Sequence, residues 1–186
     1  MEYHTSEIII EAFNRLIRKY PFEKITVTMI AEEAGVGKAT FYRHFKDKYD
    51  VMNANYKNLL DALVLREDCH NYRDLIYLLL ETSQDYWKPL RKAFDTTGYN
   101  SLKNFLYKYT MALTIEIFRQ NNPGVELTDM QKLEGHLINR GMVEVYELWA
   151  KGQYDLDAAA AADTIYEMLP KDLRDYWWIT PPEFEL

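Results

Sequence analysis

The sequence predicts an all-α protein. Apolar residues recur at intervals of three and four, and from about residue 66 onward nothing resembles the period-two alternation of a half-buried strand, a repeat or a low-complexity tract. A second observation organises the chain. Residues 24–48, KITVTMIAEEAGVGKATFYRHFKDK, read as two short helices joined by a glycine-bearing turn, with basic and aromatic residues gathered on the second. This divides the 186 residues into a helix-turn-helix domain over 1–47 and a larger helical domain over 48–186.

Ser6 to Tyr20 carries Ile9, Phe13, Leu16, Ile17 and Tyr20 at helical intervals, and Pro21 ends the run. Its Arg15, Arg18 and Lys19 are expected on a solvated face. Thr26 can cap the next helix by accepting from a backbone N–H that the first turn leaves unpaired, and Val27, Ile30, Ala31 and Ala34 follow at helical spacing. Gly35 stands where a left-handed residue is needed to stop that helix. Val36 is an apolar peg, and Lys38 to Phe45 forms the second helix, with Phe41 and Phe45 facing inward at i and i+4. Lys38, Ala39, Thr40, Tyr42, Arg43 and His44 are left on its other faces, a mixture of cations, hydroxyls and one small residue that suits phosphates and base edges.

Asp47 is a plausible N-cap for a long helix opened by Lys48, with Met52, Tyr56, Leu59 and Leu63 in one stripe. Asp74 to Tyr86 and Ser101 to Gln120 read as the next helices, Pro89 marking the end of the first or a kink. Asn121 to Gly124 is a loop; Thr128 to Lys151 and Leu156 to Leu169 are the last long helices. Trp177, Trp178 and the Pro181–Pro182 pair form a tail expected to pack on the body.

Composition narrows the function. No apolar run approaches the length of a membrane span, and Glu2, Glu7 and Glu11 make the first residues unlike a signal peptide, so a cytoplasmic protein with no membrane partner is expected. Cys69 is the only cysteine, which excludes an internal disulfide and leaves a cysteine-based zinc site without ligands; no metal or cofactor is expected. No phosphate-cradling glycine loop, Gly-x-Ser-x-Gly elbow or His-Glu-x-x-His motif occurs, and His4, His44, His70 and His136 are scattered, so no catalytic residues are assigned. The net charge of −7 is unevenly spread: residues 1–57 hold nine Lys or Arg against eight Asp or Glu, and residues 58–186 thirteen against twenty-one. The acidic surplus lies away from the motif.

The stretch ITVTMIAEEAGVGKATFYRHFKDKYDV resembles the signature of the TetR family of transcriptional regulators, in its order of Thr cap, Ile-Ala, Ala-Gly-Val, Thr-aromatic-Tyr, His-Phe and a Lys opening the next helix. Gly37 departs from a position that is often serine in that family. The resemblance implies a TetR-like fold, double-stranded DNA as partner, and phosphate contacts from Lys38, Thr40, Tyr42 and Lys48. With Thr26, Thr28, Gly37, Ala39, Arg43 and His44 these form the candidate DNA-binding set. It also implies that a shift of the helix opened by Lys48 changes the spacing of two reading heads, so that a distant ligand is felt at the DNA.

A homodimer is expected from the last two long helices. Ile138, Met142, Val145 and Trp149 form a stripe, Gly135 and Gly141 interrupt it and lower helix propensity, and the alanine run 158–162 offers a second low-profile surface. The resemblance implies a four-helix bundle there, and Ile138, Gly141, Met142, Val145, Ala158, Ala162 and Ile165 are the candidate dimerisation residues. Residues 66–150 are rich in aromatics bearing polar tips, suited to enclosing a small apolar effector, with Tyr107, Met111 and Trp149 the candidate ligand-binding residues. The expected function is a ligand-responsive repressor that binds a palindromic operator as a dimer. The alternative is a TetR-like coactivator whose C-terminal domain binds a partner protein, since GHLINRGMVEVYELWAKGQYDL resembles a subgroup that includes a dihydroxyacetone-kinase coactivator.

Overall fold

A computed structural model gives the fold. It describes residues 2–177, and their side chains apart from those of 2–4, 84–87 and 172. Trp178 and the Pro181–Pro182 pair lie outside the described residues, as do the side chains of His4, Tyr86 and Trp87. Every regular element among the described residues is helical: α1 (Glu2–Lys19), a 3-10 turn (Phe22–Lys24), α2 (Val27–Ala34), α3 (Lys38–His44), α4 (Lys48–Val64), α5 (Tyr72–Phe94), α6 (Leu102–Asn121), α7 (Asp129–Ala150), α8 (Ala158–Met168) and α9 (Lys171–Asp175). Over the described residues the fold is all-α. No described helix is long and apolar enough to cross a membrane.

Local signals set most boundaries. The Thr26 hydroxyl accepts from Met29 N at 3.2 Å, and Gly35 ends α2 with φ of 66° while Val36 N returns to Ala31 O at 2.9 Å. Asp47 Oδ1 accepts from the N–H groups of Tyr49 and Asp50 at the start of α4. Thr128 and Gln131 form a capping box at the start of α7, and Asp157 caps α8. Pro89 does not end α5, which continues through it to Phe94. The hydrogen bond lost at the proline is offset by burial of the helix's last turn, where Leu90, Ala93 and Phe94 are all inside.

The chain forms two compact units. The first is Met1–Leu59 with Tyr86–Phe105, larger than the segment 1–47 expected from the motif. Its core holds Ile9, Phe13, Ile17, Phe22, Ile30, Phe41 and Met52. Phe22 meets Phe13 and Tyr49 edge to face. The additional segments are tied in by polar contacts: Asn14 Nδ2 donates to Asn55 Oδ1 at 2.7 Å, and the Lys92 ammonium reaches the end of α1.

The second unit is Leu60–Asp85 with Leu106–Leu186. In it Arg73 pairs with Asp163 at 2.6 Å, joining α5 to α8. The tail residues that are described pack as expected: Trp177 lies edge to face on Tyr72, Tyr176 on Phe118, and Trp177 O accepts from Asn121 Nδ2. Three tyrosines bring hydroxyls into this core. Burial pushes those of Tyr72, Tyr109 and Tyr146 above the ordinary tyrosine range. Tyr109 donates to Asp61 at 2.7 Å, whereas the Tyr72 hydroxyl has only the Thr114 side chain beside it, without a well-formed hydrogen bond.

These two hydroxyls have opposite expected effects on stability. Tyr109→Phe deletes a donor to a carboxylate and should destabilise by about 1–2 kcal/mol, while Tyr72→Phe deletes a buried hydroxyl with only Thr114 beside it and should be neutral or stabilising by up to about 1 kcal/mol. Urea unfolding midpoints of the two variants check the sign; equal losses would show that the Tyr72 hydroxyl has a partner in solution.

Candidate nucleic-acid interface

The geometry of α3 follows from which of its residues are apolar. Phe41 is fully buried and Phe45, the residue that ends the helix, is 7 % exposed; their rings lie 6.0 Å apart. With that side held in the core, the opposite side is presented to solvent. Lys38, Ala39, Tyr42 and Arg43 are exposed, Tyr42 at 58 %, and Thr40 and His44 are half-buried at the margin. Arg43 Nη2 donates to Thr40 Oγ1 at 3.2 Å, which orders two of these polar groups relative to each other. Gly37 provides no side-chain cap, so the first turn of α3 keeps backbone N–H groups free of a side-chain acceptor.

From α2, Thr28 is half-buried, while Thr26 is exposed but commits its acceptor to Met29 N. Arg15 is exposed, as expected, and also ties α1 to α2: Nε lies 2.6 Å from Glu33 Oε1 and Nη2 donates to Glu33 O. The Arg15 hydrogen bond holds the Glu33 carboxyl below its ordinary range.

Lys48 is not placed as a phosphate contact. Its ammonium donates to Phe22 O at 2.8 Å, Ile25 O at 2.9 Å and Glu23 O at 3.3 Å, and lies 4.4 Å from the centroid of the Phe22 ring. All three donors go to carbonyls of the 3-10 turn and its end, of which Phe22 O also accepts from Ile25 N at 3.1 Å. Burial pulls its pKa down, opposed by the carboxylates of Glu23 and Asp47.

In the second unit an apolar groove of about 290 Å³ runs along α7 and α8, lined by Leu137, Ile138, Gly141, Met142, Val145, Ile165, Met168 and Leu169. Five of the expected dimerisation residues therefore share one surface. A Cβ at Gly141 would meet nothing within 4 Å, so this glycine lies on an open face, while one at Gly135 would sit 3.2 Å from Met111 Cε, so that glycine admits α6 within the subunit. Ala158 and Ala162 are corrected: at 7 % and 0 % exposed they are buried inside the subunit, where the small profile of α8 is used. Leu137 and Met168, at 67 % and 79 % exposed, belong to the groove and were missed. Leu133 and Leu137 continue the α7 stripe at i and i+4, a signal present in the sequence.

The expected effector residues do not come together around a described cavity. The Tyr107 hydroxyl is hydrogen-bonded to His136 Nδ1 and its ring lies 3.7 Å beneath the Arg140 guanidinium, a half-exposed arrangement. Met111 is packed against Gly135 and near Asn139 Nδ2, and Trp149 is half-buried without lining either described cavity. The second of these cavities, about 60 Å³ between Thr114, Phe118, Gly135, Leu173 and Tyr176, is well short of the roughly 300 Å³ at which small-molecule sites begin. Among the described residues no group of His, Cys, Asp and Glu is placed to hold a metal ion.

Residues 9–54 match the model of the bacterial regulatory proteins of the tetR family. Over those residues the chain is similar to the DNA-binding head of the TetR family. Its TetR-type head is 32 % identical, over 81 residues, to HTH-type transcriptional regulators of Staphylococcus aureus strains USA300 and NCTC 8325, a match covering 41 % of this chain. The match spans 42 % of the length of those relatives. The likeness of fold runs further. The dihydroxyacetone kinase operon activator DhaS superposes over 92 % of this chain and 97 % of its own with a TM-score of 0.62 at 18 % identity. A TetR transcriptional regulator from Rhodococcus sp. RHA1 does so over 89 % and 96 %, with a TM-score of 0.64 at 15 % identity.

The different placements of the two lysines give different salt responses on duplex DNA. Lys38→Ala should flatten the dependence of binding on salt by about one unit per subunit, as loss of a phosphate contact does, whereas Lys48→Met should weaken binding with the slope unchanged. A slope that falls equally in both would return Lys48 to the phosphate backbone.

Proposed function

We propose that this protein is a DNA-binding transcriptional repressor of the TetR family that reads a palindromic operator as a homodimer and is released by a small apolar effector. The observation that carries the reading is the two-sided α3, with Phe41 and Phe45 in the core and Lys38, Ala39, Tyr42 and Arg43 exposed. Cations and hydroxyls on a helix held this way suit phosphates, and Ala39 leaves room for close approach to base edges. An excess of only one positive charge over residues 1–57 is a weak electrostatic footprint for one head, so two heads acting together are part of the reading. The groove on α7 and α8 supports that pairing. It presents Leu137 and Met168 to solvent beside a glycine that adds no bulk, and a two-fold copy of the same surface would cover them.

The reading gives the exposed apolar groove to a second subunit, where the coactivator alternative would give it to a partner protein. Effector binding is the part of the reading that rests on the resemblance alone, since neither described cavity is lined by Tyr107, Met111 or Trp149. The reading places the protein with its DNA in the cytoplasm.

Selection from a pool of random duplexes tests the function: an inverted repeat should be enriched, and an apolar compound that raises the melting temperature should release it. Enrichment of no sequence would sink the reading. For the dimer, Leu137→Glu changes a residue that the subunit itself leaves exposed, so the helical circular dichroism should persist while dimerisation weakens tenfold or more, about 1.4 kcal/mol. Sedimentation showing an unchanged dimer at micromolar concentration would move the interface away from this groove.

A further inference from the structure

The backbone between α1 and α2 is held from outside the helix-turn-helix at two points. Lys92, in the last turn of α5, donates from its ammonium to Ile17 O at 2.9 Å, Tyr20 O at 3.3 Å and Arg18 O at 3.4 Å. These are carbonyls at the end of α1, where the helix has run out of its own donors and the negative end of its dipole attracts a cation. Lys48, in the first turn of α4, takes the next set, at Phe22, Glu23 and Ile25. Six carbonyls within residues 17–25 are thus bound to two ammonium groups.

We infer that Lys92 is a positioning residue for DNA recognition: its ammonium, on three carbonyls at the end of α1, fixes the connector to α2 and so makes the pose of α2 and α3 depend on the end of α5.

The supports of this contact are stiff. The turn after α5 is closed on itself by Thr96, whose hydroxyl donates to Ala93 O at 2.7 Å and accepts from Leu102 N at 3.1 Å, and by Asn104 Nδ2 on Gly98 O at 3.0 Å. Asn53 Nδ2 ties the same turn to α4 through Asn100 O. On the receiving side the connector is short and internally bonded, with Tyr20 N on Leu16 O, Lys24 N on Pro21 O and Ile25 N on Phe22 O, and Thr26 caps α2 immediately afterwards. On both sides of the Lys92 stem the backbone is thus internally bonded, and the ammonium's three acceptors fix the end of that stem. The connector is thus held from two helices, by Lys92 of α5 and Lys48 of α4.

The inference rests on the DNA-binding reading, and its test has one arm that does not. Wild type, Lys92→Met, Lys92→Gln and Lys92→Arg are compared, with circular dichroism selecting the uncharged variant that keeps its helix. In that variant amide hydrogen exchange at Tyr20, Lys24 and Ile25 should quicken tenfold or more, and Lys92→Arg should restore most of the protection. On the duplex enriched from the random pool its affinity should fall at least tenfold, while affinity for an unselected duplex stays within twofold, because the exposed cations of α3 are untouched. Unchanged exchange overturns the clamp. Faster exchange with selected-duplex affinity within twofold, or equal losses on both duplexes, overturns the positioning role. Should wild type enrich no sequence, the regulator reading falls, and exchange still decides whether Lys92 holds the connector.

Discussion

The first unit depends on one constraint: the rings of Phe41 and Phe45 must be out of water. Two aromatic side chains contribute several kcal/mol of burial between them, far more than a seven-residue helix contributes by itself, since isolated helices of that length are unstable. The core they enter, with Phe13, Phe22 and Ile30, therefore both makes α3 a helix and settles which of its sides meets solvent. The polar groups of Lys38, Tyr42 and Arg43 are outside because the phenylalanines are inside.

Around that core the unit directs polar groups to the backbone between helices. A cation bound to carbonyls gives up its hydration, which is offset when several acceptors replace the water and no carboxylate competes for the geometry. Lys48 and Lys92 both meet this condition with three carbonyls each. The Arg15–Glu33 pair at the surface is a weaker tie by comparison, screened by solvent on a side chain that is 47 % exposed. The connector between α1 and α2 is held more firmly than the helices' own exposed faces, which suits an element that must present a rigid surface to a partner.

The second unit uses a different rule, that small residues mark close approach but not against what. Gly135 and Ala158, Ala161 and Ala162 of α8 are all low in profile, yet they are used inside the subunit, against Met111 and in the core. Gly141 has the same chemistry and faces open space, with Leu137 and Met142 beside it. One turn and a half of α7 separates an internal glycine from an external one.

What the sequence determined by itself was whatever short-range physics decides. The caps at Thr26, Asp47 and Thr128, the left-handed Gly35, the inward pair Phe41 and Phe45 and the solvent side of α3 all follow from residues within a few positions of one another, where spacing dictates contact. Tertiary structure alone decided the rest. Lys48 and a phosphate-binding lysine look alike in a sequence, and only the carbonyls of residues 22, 23 and 25 reveal that its donors are occupied. The partners of Lys92 lie more than seventy residues away, beyond the reach of any periodic pattern. Ala158 and Ala162 could be sorted into the subunit, and Tyr107, Met111 and Trp149 could be found apart from any described cavity, only once the rotation of each helix about its axis was known. That rotation is set by the sum of packing on all sides of the helix, a quantity that is not local to any stretch of the chain.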